Sequence, residues 1–445
     1  MTRRLADHPF VYEINTWVWL RERRVSLADV PAAEWQVIAD LGFDAVWLMG
    51  VWERSAAGVE IALRNDALLE GFRRALPDFT PADVVGSPYC IRDYTVAAEL
   101  GGDDGLAAAR EALQRCGLEL ILDFVPNHVA PDHPWTAAHP EYFVRGSVDD
   151  LERDPASFVR VGESVLANGR DPYFPAWPDV VQLNAFSPEL RAAVVDTLGR
   201  IADQCDGVRC DMAMLMMTDV FARTWDARVG PPLPDEYWPA VIAAVKERRS
   251  DFVFLAEAYW DLEYALQQQG FDYCYDKRLY DRLLHEDAAS VRGHLSGDTG
   301  YQDRLVRFIE NHDEPRAASV FASGKAQAAA VVTLGQTGAR LVHDGQLDGR
   351  RVQLPVFLGR RPDEQPDTEL RAFYERLLRG LSDDVFRTGT WQLGETSGWE
   401  GNEGWSDLLA WGWRGEETRK LVVVNLGAVP AAGRVSLPWD ELRGA

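Results

Sequence analysis

Residues 118–128 read LELILDFVPNH, an apolar run up to Phe124 that carries Asp123 near its end and is followed by Asn127 and His128. The run is apolar on both faces, without alternation. That is the pattern of a strand buried on two sides, as in a parallel sheet. Seven more short runs share it, at 10–14, 45–49, 207–211, 252–257, 271–275, 305–309 and 339–343. Helical spacing separates them. Leu106, Ala109, Leu113 and Cys116 keep it, as do Leu190, Val194, Leu198 and Ile201 after the cap and first-turn pair Ser187-Pro188. Residues 235–249 and 368–379 are further helices by the same reading. Eight strands alternating with helices predict an α/β fold, the closed (β/α)8 barrel. An open doubly wound sheet is the alternative, but no glycine-rich phosphate loop follows an early strand.

Two connections exceed ordinary loop length. One spans 50–102. The other, 129–186, is rich in Pro, Asp and aromatics and reads as a small inserted domain. The barrel then comprises 1–128 and 187–384. From 385 the texture changes to short runs at 390–393, 408–413, 421–425 and 434–437, set between glycine-rich turns. They predict a C-terminal antiparallel β-domain over 385–445, expected to be incomplete where it stops at Ala445.

Of 445 residues, 47% are hydrophobic and 26% charged, the balance of a globular protein. Acidic residues outnumber basic ones 70 to 46, a net charge of −24. Nucleic acid and anionic membrane, which need basic surface, are excluded as partners. Sixteen Trp are an early hint of sugar stacking. The five Cys are scattered and form no CxxC pair, against a disulfide framework or zinc. Arg3 and Arg4 precede no signal-peptide core, and no apolar run approaches the ~18 residues of a membrane span. A cytoplasmic protein is expected.

In such a barrel the active site lies at the C-terminal strand ends. Those ends carry Asp123 and His128, then Arg209 and Asp211, then Glu257, then Glu310, His312 and Asp313. A lone Asp or His there is more often a cap or a satisfied hydrogen-bonding group. Four such strand ends on one rim point to chemistry. Asp211 and Glu257 fall on adjacent strands, which predicts carboxyls ~5 Å apart, the separation of a retaining glycosidase. Arg209 shares a face with Asp211 and keeps it ionised. The apolar flanks of Glu257 raise its pKa, as a proton donor requires.

These segments resemble, in order, the short signature regions of the α-amylase family of glycoside hydrolases. Residues 123–128, 207–211, 256–258 and 311–313 are similar to its first four regions, 181–184 to the extra region closing the inserted domain, and Ser87-Pro88-Tyr89 to the segment with an aromatic platform. The resemblance implies Asp211 as nucleophile, Glu257 as general acid and base, and Asp313 as the stabiliser of the transition state. It implies that Tyr89, His128, Arg209 and His312 serve the same sugar. Arg316, after Pro315, resembles the family's small-substrate glucosidases. Trp135, Trp177 and Trp260 fall beside rim loops, and Trp260 is taken as a substrate-binding platform.

Departures also matter. Met214 and Leu215 stand where many amylases have a Lys-His pair, read as core packing or else as an apolar acceptor-side wall. Gly86 stands where exo-acting relatives often have Asp. No cofactor and no catalytic metal are expected. A structural calcium near Asn127 is not favoured, because Asn127 equally bonds local backbone and no EF-hand-like loop occurs. The expected activity is retaining cleavage of short α-glucans or α-glucosides, small α-linked molecules. Glycosyl transfer with the same triad is the first alternative and an inactive binding barrel the second. Oligomeric state is not readable.

Overall fold

The computed structural model describes residues 5–322, 324–437 and 439. Eight parallel strands close into a barrel. They are β1 (Phe10–Asn15), β2 (Ala45–Met49), β3 (Glu119–Phe124), β4 (Gly207–Cys210), β5 (Val253–Ala256), β6 (Tyr273–Tyr275), β7 (Leu305–Arg307) and β8 (Ala339–His343). They follow one another in chain order, and β8 pairs with β1, Phe10 opposite Arg340. Every apolar run named above coincides in whole or in part with one of these strands. Arg3, Arg4 and Ala445 lie outside the described residues.

Five of the paired segments are shorter than their apolar runs, two match theirs, and β1 runs one residue further, to Asn15. β4 and β5 stop one residue before Asp211 and Glu257, and β7 stops at Arg307 although Phe308 and Ile309 are buried. Hydrophobicity reports burial, and burial continues past the last ladder bond. Glycine opens β4 because a Cβ at Gly207 would lie 2.8 Å from the Val253 carbonyl oxygen.

Helices pack outside the barrel, among them Gly102–Arg115, Pro188–Gln204, Tyr237–Arg248 and Thr368–Gly380. The Ser187 hydroxyl accepts from Leu190 N at 3.1 Å, the predicted cap. The 50–102 connection pairs Trp52–Arg54 with Ile91–Val96 and carries the helices Ala56–Ala62 and Asp66–Ala75. These helices share a separate small core, built on Phe72, Leu76 and Val84, with Leu358 from the connection after β8. The connection after β3 forms a four-stranded antiparallel sheet in the order His128–Val129, Trp177–Gln182, Ser164–Gly169, Phe158–Val161.

Beyond the barrel, Thr390–Leu393, Leu408–Arg414 and Arg419–Asn425 form one antiparallel sheet, and Glu395–Ser397 pairs with Arg434–Ser436. This region docks through Trp411 and Trp413, whose indole N–H groups both donate to the Gly335 carbonyl, at 2.8 and 2.9 Å. Among the described residues, no helix is long and apolar enough to cross a membrane.

Candidate active site

β3, β4 and β5 set the stage through their register. Arg209 lies opposite Asp123 on β3, and Cys210 opposite Ala256 on β5. Just past the strands, Asp211 N–H donates to the Phe124 carbonyl at 2.8 Å and Glu257 N–H to the Cys210 carbonyl at 3.0 Å. The two carboxylates are thus held on neighbouring backbones. One guanidinium serves both: Arg209 Nη1 donates to Asp211 Oδ1 at 2.7 Å, and Nη2 lies 2.8 Å from Glu257 Oε2. Arg209 is fully buried. Its guanidinium carbon sits 5.1 to 5.8 Å from the ring centroids of Tyr89, Trp47 and Tyr275. This aromatic cage stabilises the cation where water is excluded.

Met212 turns the chain away from β4 in a left-handed conformation, φ 41°. That turn aims its N–H at Glu257 Oε2, 2.6 Å away. The Tyr259 hydroxyl donates to the other oxygen, Oε1, at 3.2 Å. Burial pushes the Glu257 carboxyl up to about 7 against the opposing pull of Arg209, with Asp211 and Asp313 adding to the rise.

Asn311, His312 and Asp313 follow β7. The Asn311 carboxamide oxygen accepts from the N–H groups of Asp313 and Glu314 at 2.9 and 2.8 Å, an Asx turn that presents Asp313. His312 Nε2 lies 2.9 Å from Asp313 Oδ2 and 2.5 Å from the Tyr89 hydroxyl. Its Nδ1 lies 2.5 Å from Glu13 Oε1. Burial opposes the charge of His312, yet Asp313 and Glu13 raise it to about 10, so the ring is an imidazolium at neutral pH. Asp313 is opposed by desolvation, but His312 and Arg209 hold its carboxyl below the usual range. Its side chain is 39% exposed, against 7% for Asp211 and 4% for Glu257. Asp313 therefore reaches into open space while the other two form the floor.

That space is a cavity of about 330 Å³. Tyr89, His128, Asp211, Glu257 and Asp313 line it together, as expected from the sequence, with Ser87 beside them. Arg209 and His312 act from behind. Trp177, Asp179, Val180, Met212, Tyr259 and Phe357 complete the wall. A second space of about 520 Å³ meets the first at Asp313 and Phe357 and runs between the helix Asp66–Ala75 and residues 352–357.

Two expected binding residues lie elsewhere. Arg316 is buried, donating to Glu310 Oε1 at 2.5 Å and to the Asp344 carbonyl at 3.0 Å. A buried carboxylate needs such a partner, and Glu310 consumes the arginine. Trp260 sits in a left-handed turn, φ 61°, with its ring edge-on to Tyr173 at 4.8 Å, and Tyr259 takes the place at the wall. Trp135 packs on His133 and Tyr142; of the three rim tryptophans, Trp177 lines the cavity. Met214 and Leu215 are buried, so their core reading holds, and the apolar wall is made by Met212. Gly86, φ 92°, hands its carbonyl to Arg54 Nη1 at 2.6 Å.

The sequence reading missed Glu13, Asp179, Tyr259 as a ligand to Glu257, and Phe357. Glu13 had a legible signal: it is a carboxylate inside an apolar run, close to a strand's C-terminal end. Phe357 had none, being in a connection without periodicity.

The Asn127 carboxamide is engaged by Gln182. Its Oδ1 accepts from Gln182 Nε2 at 2.8 Å and its Nδ2 donates to Gln182 Oε1 at 3.2 Å, a reciprocal amide pair. Among the described residues no group of three or more His, Cys, Asp or Glu could hold a metal.

Residues 34–276 match the catalytic domain of alpha amylase. The chain belongs to the alpha-amylase family. It is 26% identical over 447 residues to alpha-amylase MalA of Haloarcula japonica, covering 97% of this chain and 57% of MalA. It is 27% identical over 279 residues to an alpha-1,4-glucan:maltose-1-phosphate maltosyltransferase of Bifidobacterium longum, 58% of this chain and 30% of that protein. The chain thus spans little more than half, or less, of the length of these relatives. In fold it is similar to the cyclic alpha-maltosyl-(1→6)-maltose hydrolase of Arthrobacter globiformis, with a TM-score of 0.67 and 18% identity over 94% of this chain and 91% of that one.

Proposed function

We propose that this alpha-amylase family chain cleaves short α-linked glucans or α-glucosides with retention of configuration. The observation that carries the reading is the forked contact of Arg209 with both Asp211 and Glu257. It holds two carboxyls side by side on neighbouring strand ends, the pair that a two-step displacement needs. Asp211 is hydrogen-bonded to a buried cation and serves as the nucleophile. Glu257, raised to about 7, holds a proton for the leaving oxygen.

In the first step Asp211 attacks the anomeric carbon while Glu257 gives its proton to the departing oxygen. A glycosyl ester on Asp211 results. In the second step Glu257, now a carboxylate, takes a proton from water, whose oxygen displaces Asp211. Asp313, open to the cavity and backed by the His312 imidazolium, accepts from sugar hydroxyls and favours the positive charge that develops on the ring. Tyr89 and His128 border the same sugar.

Water rather than phosphate is supported as the acceptor, because among the described residues no Lys or Arg lines the cavity and Asp179 borders it. The test is a pair of variants and a product assay. Asp211→Asn and Glu257→Gln should each lower kcat at least ~10³-fold with the fold retained, several kcal/mol of transition-state stabilisation. Proton NMR should find the α-anomer released first. Initial β-anomer, or near-normal turnover by Asp211→Asn, would overturn the assignment.

A further inference from the structure

Glu13 takes no part in the two-step displacement, yet it is fully buried on β1 beside the groups that do. Strand register sets it opposite Trp47 on β2 and His343 on β8. Both neighbours are engaged elsewhere. Trp47 Nε1 donates to Asp123 Oδ1 at 3.2 Å, and Arg316 Nη1 donates to His343 Nδ1 at 3.0 Å. Glu13 Oε1 instead meets His312 Nδ1 at 2.5 Å, while Glu13 Oε2 has no hydrogen-bond partner among the described residues. A buried carboxylate with one bare oxygen is costly, and an apolar pair would pack there without that cost. The charge itself therefore has a use.

Two carboxylates face the two ring nitrogens of His312, Glu13 at Nδ1 and Asp313 at Nε2, the latter at 2.9 Å. Ionised carboxyls only accept hydrogen bonds. A neutral imidazole has one N–H and satisfies one of them; the doubly protonated ring satisfies both. The other groups around the pair are already committed. Tyr89 shares Nε2, and Trp47 packs edge-on to the ring at 5.4 Å. On β3, Asp123 takes the N–H groups of Trp47 and Gly50, and Arg209 on β4 also reaches Asp313, at 3.9 Å. Burial keeps Tyr275 on β6 a neutral phenol, Glu310 after β7 is paired with Arg316, and burial together with Arg316 keeps His343 neutral. Against desolvation, Asp313 and Glu13 raise the ring to about 10.

We propose that Glu13 is a positioning residue of this site: its carboxylate pins the second proton on His312, which keeps Nε2–H donating to Asp313 and holds the Asp313 carboxylate towards the reacting sugar. The proposal rests on the glycosidase reading above. In Glu13→Gln the side-chain amide donates to Nδ1, so the ring is satisfied without its second proton. A neutral N–H to Asp313 then replaces a charge-assisted one of roughly twice the strength.

Two measurements on the full chain test this. Nitrogen-15 NMR with labelled histidine, the His312 signal assigned by its loss in His312→Gln, should find both ring nitrogens protonated at pH 8 in the parent and one in Glu13→Gln. Fluoride release from α-glucosyl or α-maltosyl fluoride, whose leaving group needs no proton from Glu257, should have a kcat/KM at least tenfold below the parent in Glu13→Gln at pH 8. The gap should close to below threefold at pH 5.5, where solvent protons refill the ring. Glu13→Asp, which keeps the charge, should show no such pH dependence. A neutral ring in the parent at pH 8 overturns the proposal, whether or not Glu13→Gln folds. So does a doubly protonated ring in Glu13→Gln at pH 8, or a loss of activity equal at both pH values, as misplacement alone would give. If the parent releases fluoride from neither donor, the glycosidase reading fails, and the NMR measurement still decides the pairing of Glu13 with His312.

Discussion

Glu257 illustrates how much one residue owes to its surroundings. Its carboxyl touches the guanidinium of Arg209, the N–H of Met212 and the hydroxyl of Tyr259, all of which favour the anion or leave it solvated. Burial outweighs them and carries it to about 7. The acid form is the working form, so kcat/KM should fall on the alkaline side with a limb near pH 7, about tenfold per unit beyond it. A pH profile on a small glycoside reads this directly, and a flat profile to pH 9 would remove Glu257 from the acid role. The raised carboxyl was foreseeable from its apolar neighbours. Its bond to Tyr259 was not, since it depends on the turn that swings Trp260 outward. Arg316 marks the opposite case: its place after Asp313 suggested a sugar ligand, and only the packing of Glu310 showed where its charge is spent.

At the scale of elements, β1 and the segment after β7 are joined through Glu13 and His312, 299 positions apart in the sequence and 2.5 Å apart in the fold. The His312 ring titrates near 10 in the folded chain against about 6.5 when unfolded. Its contribution to stability is fully present below about pH 6.5 and is lost as pH rises through 10. Glu13→Gln removes one of the two carboxylates that hold the proton. Its thermal midpoint should lie below that of the parent at pH 7, and the gap should narrow towards pH 10. Melting curves across this range check it, and a gap that widens with pH would contradict the pairing. The strands themselves were readable because a strand buried on both faces must be apolar throughout. Their ends were not, because residues such as Phe308 stay buried after pairing stops.

On the scale of the whole molecule, the C-terminal sheets act on the barrel through Trp411 and Trp413, which share one carbonyl at Gly335. Trp411 is fully buried, so Trp411→Ala should cost about 3–5 kcal/mol by calorimetry. An unchanged melting temperature would mean that the sheets are not coupled to the barrel. The long connections have a functional side. The helix Asp66–Ala75 and residues 352–357 border one end of the binding space, and Trp177 with Val180 borders the other. Walls at both ends favour short ligands, so kcat/KM should be higher on short oligosaccharides than on starch. A fast viscosity drop of amylose with little glucose or maltose would reverse that conclusion.

Length, charge and periodicity by themselves determined the barrel, its strand count, and the rim on which Asp211, Glu257 and Asp313 stand. Those properties are local: each strand needs its own apolar run, and each rim residue follows its own strand. Tertiary structure alone decided which side chains share a cavity. Glu13 reaches His312 because the barrel closes β1 against β8, and Phe357 shares the cavity wall with Asp313 because the connection after β8 folds back over the rim. Neighbourhoods such as that of Glu13 and His312, 299 positions apart, follow from closure and packing, and no run of neighbouring residues encodes them.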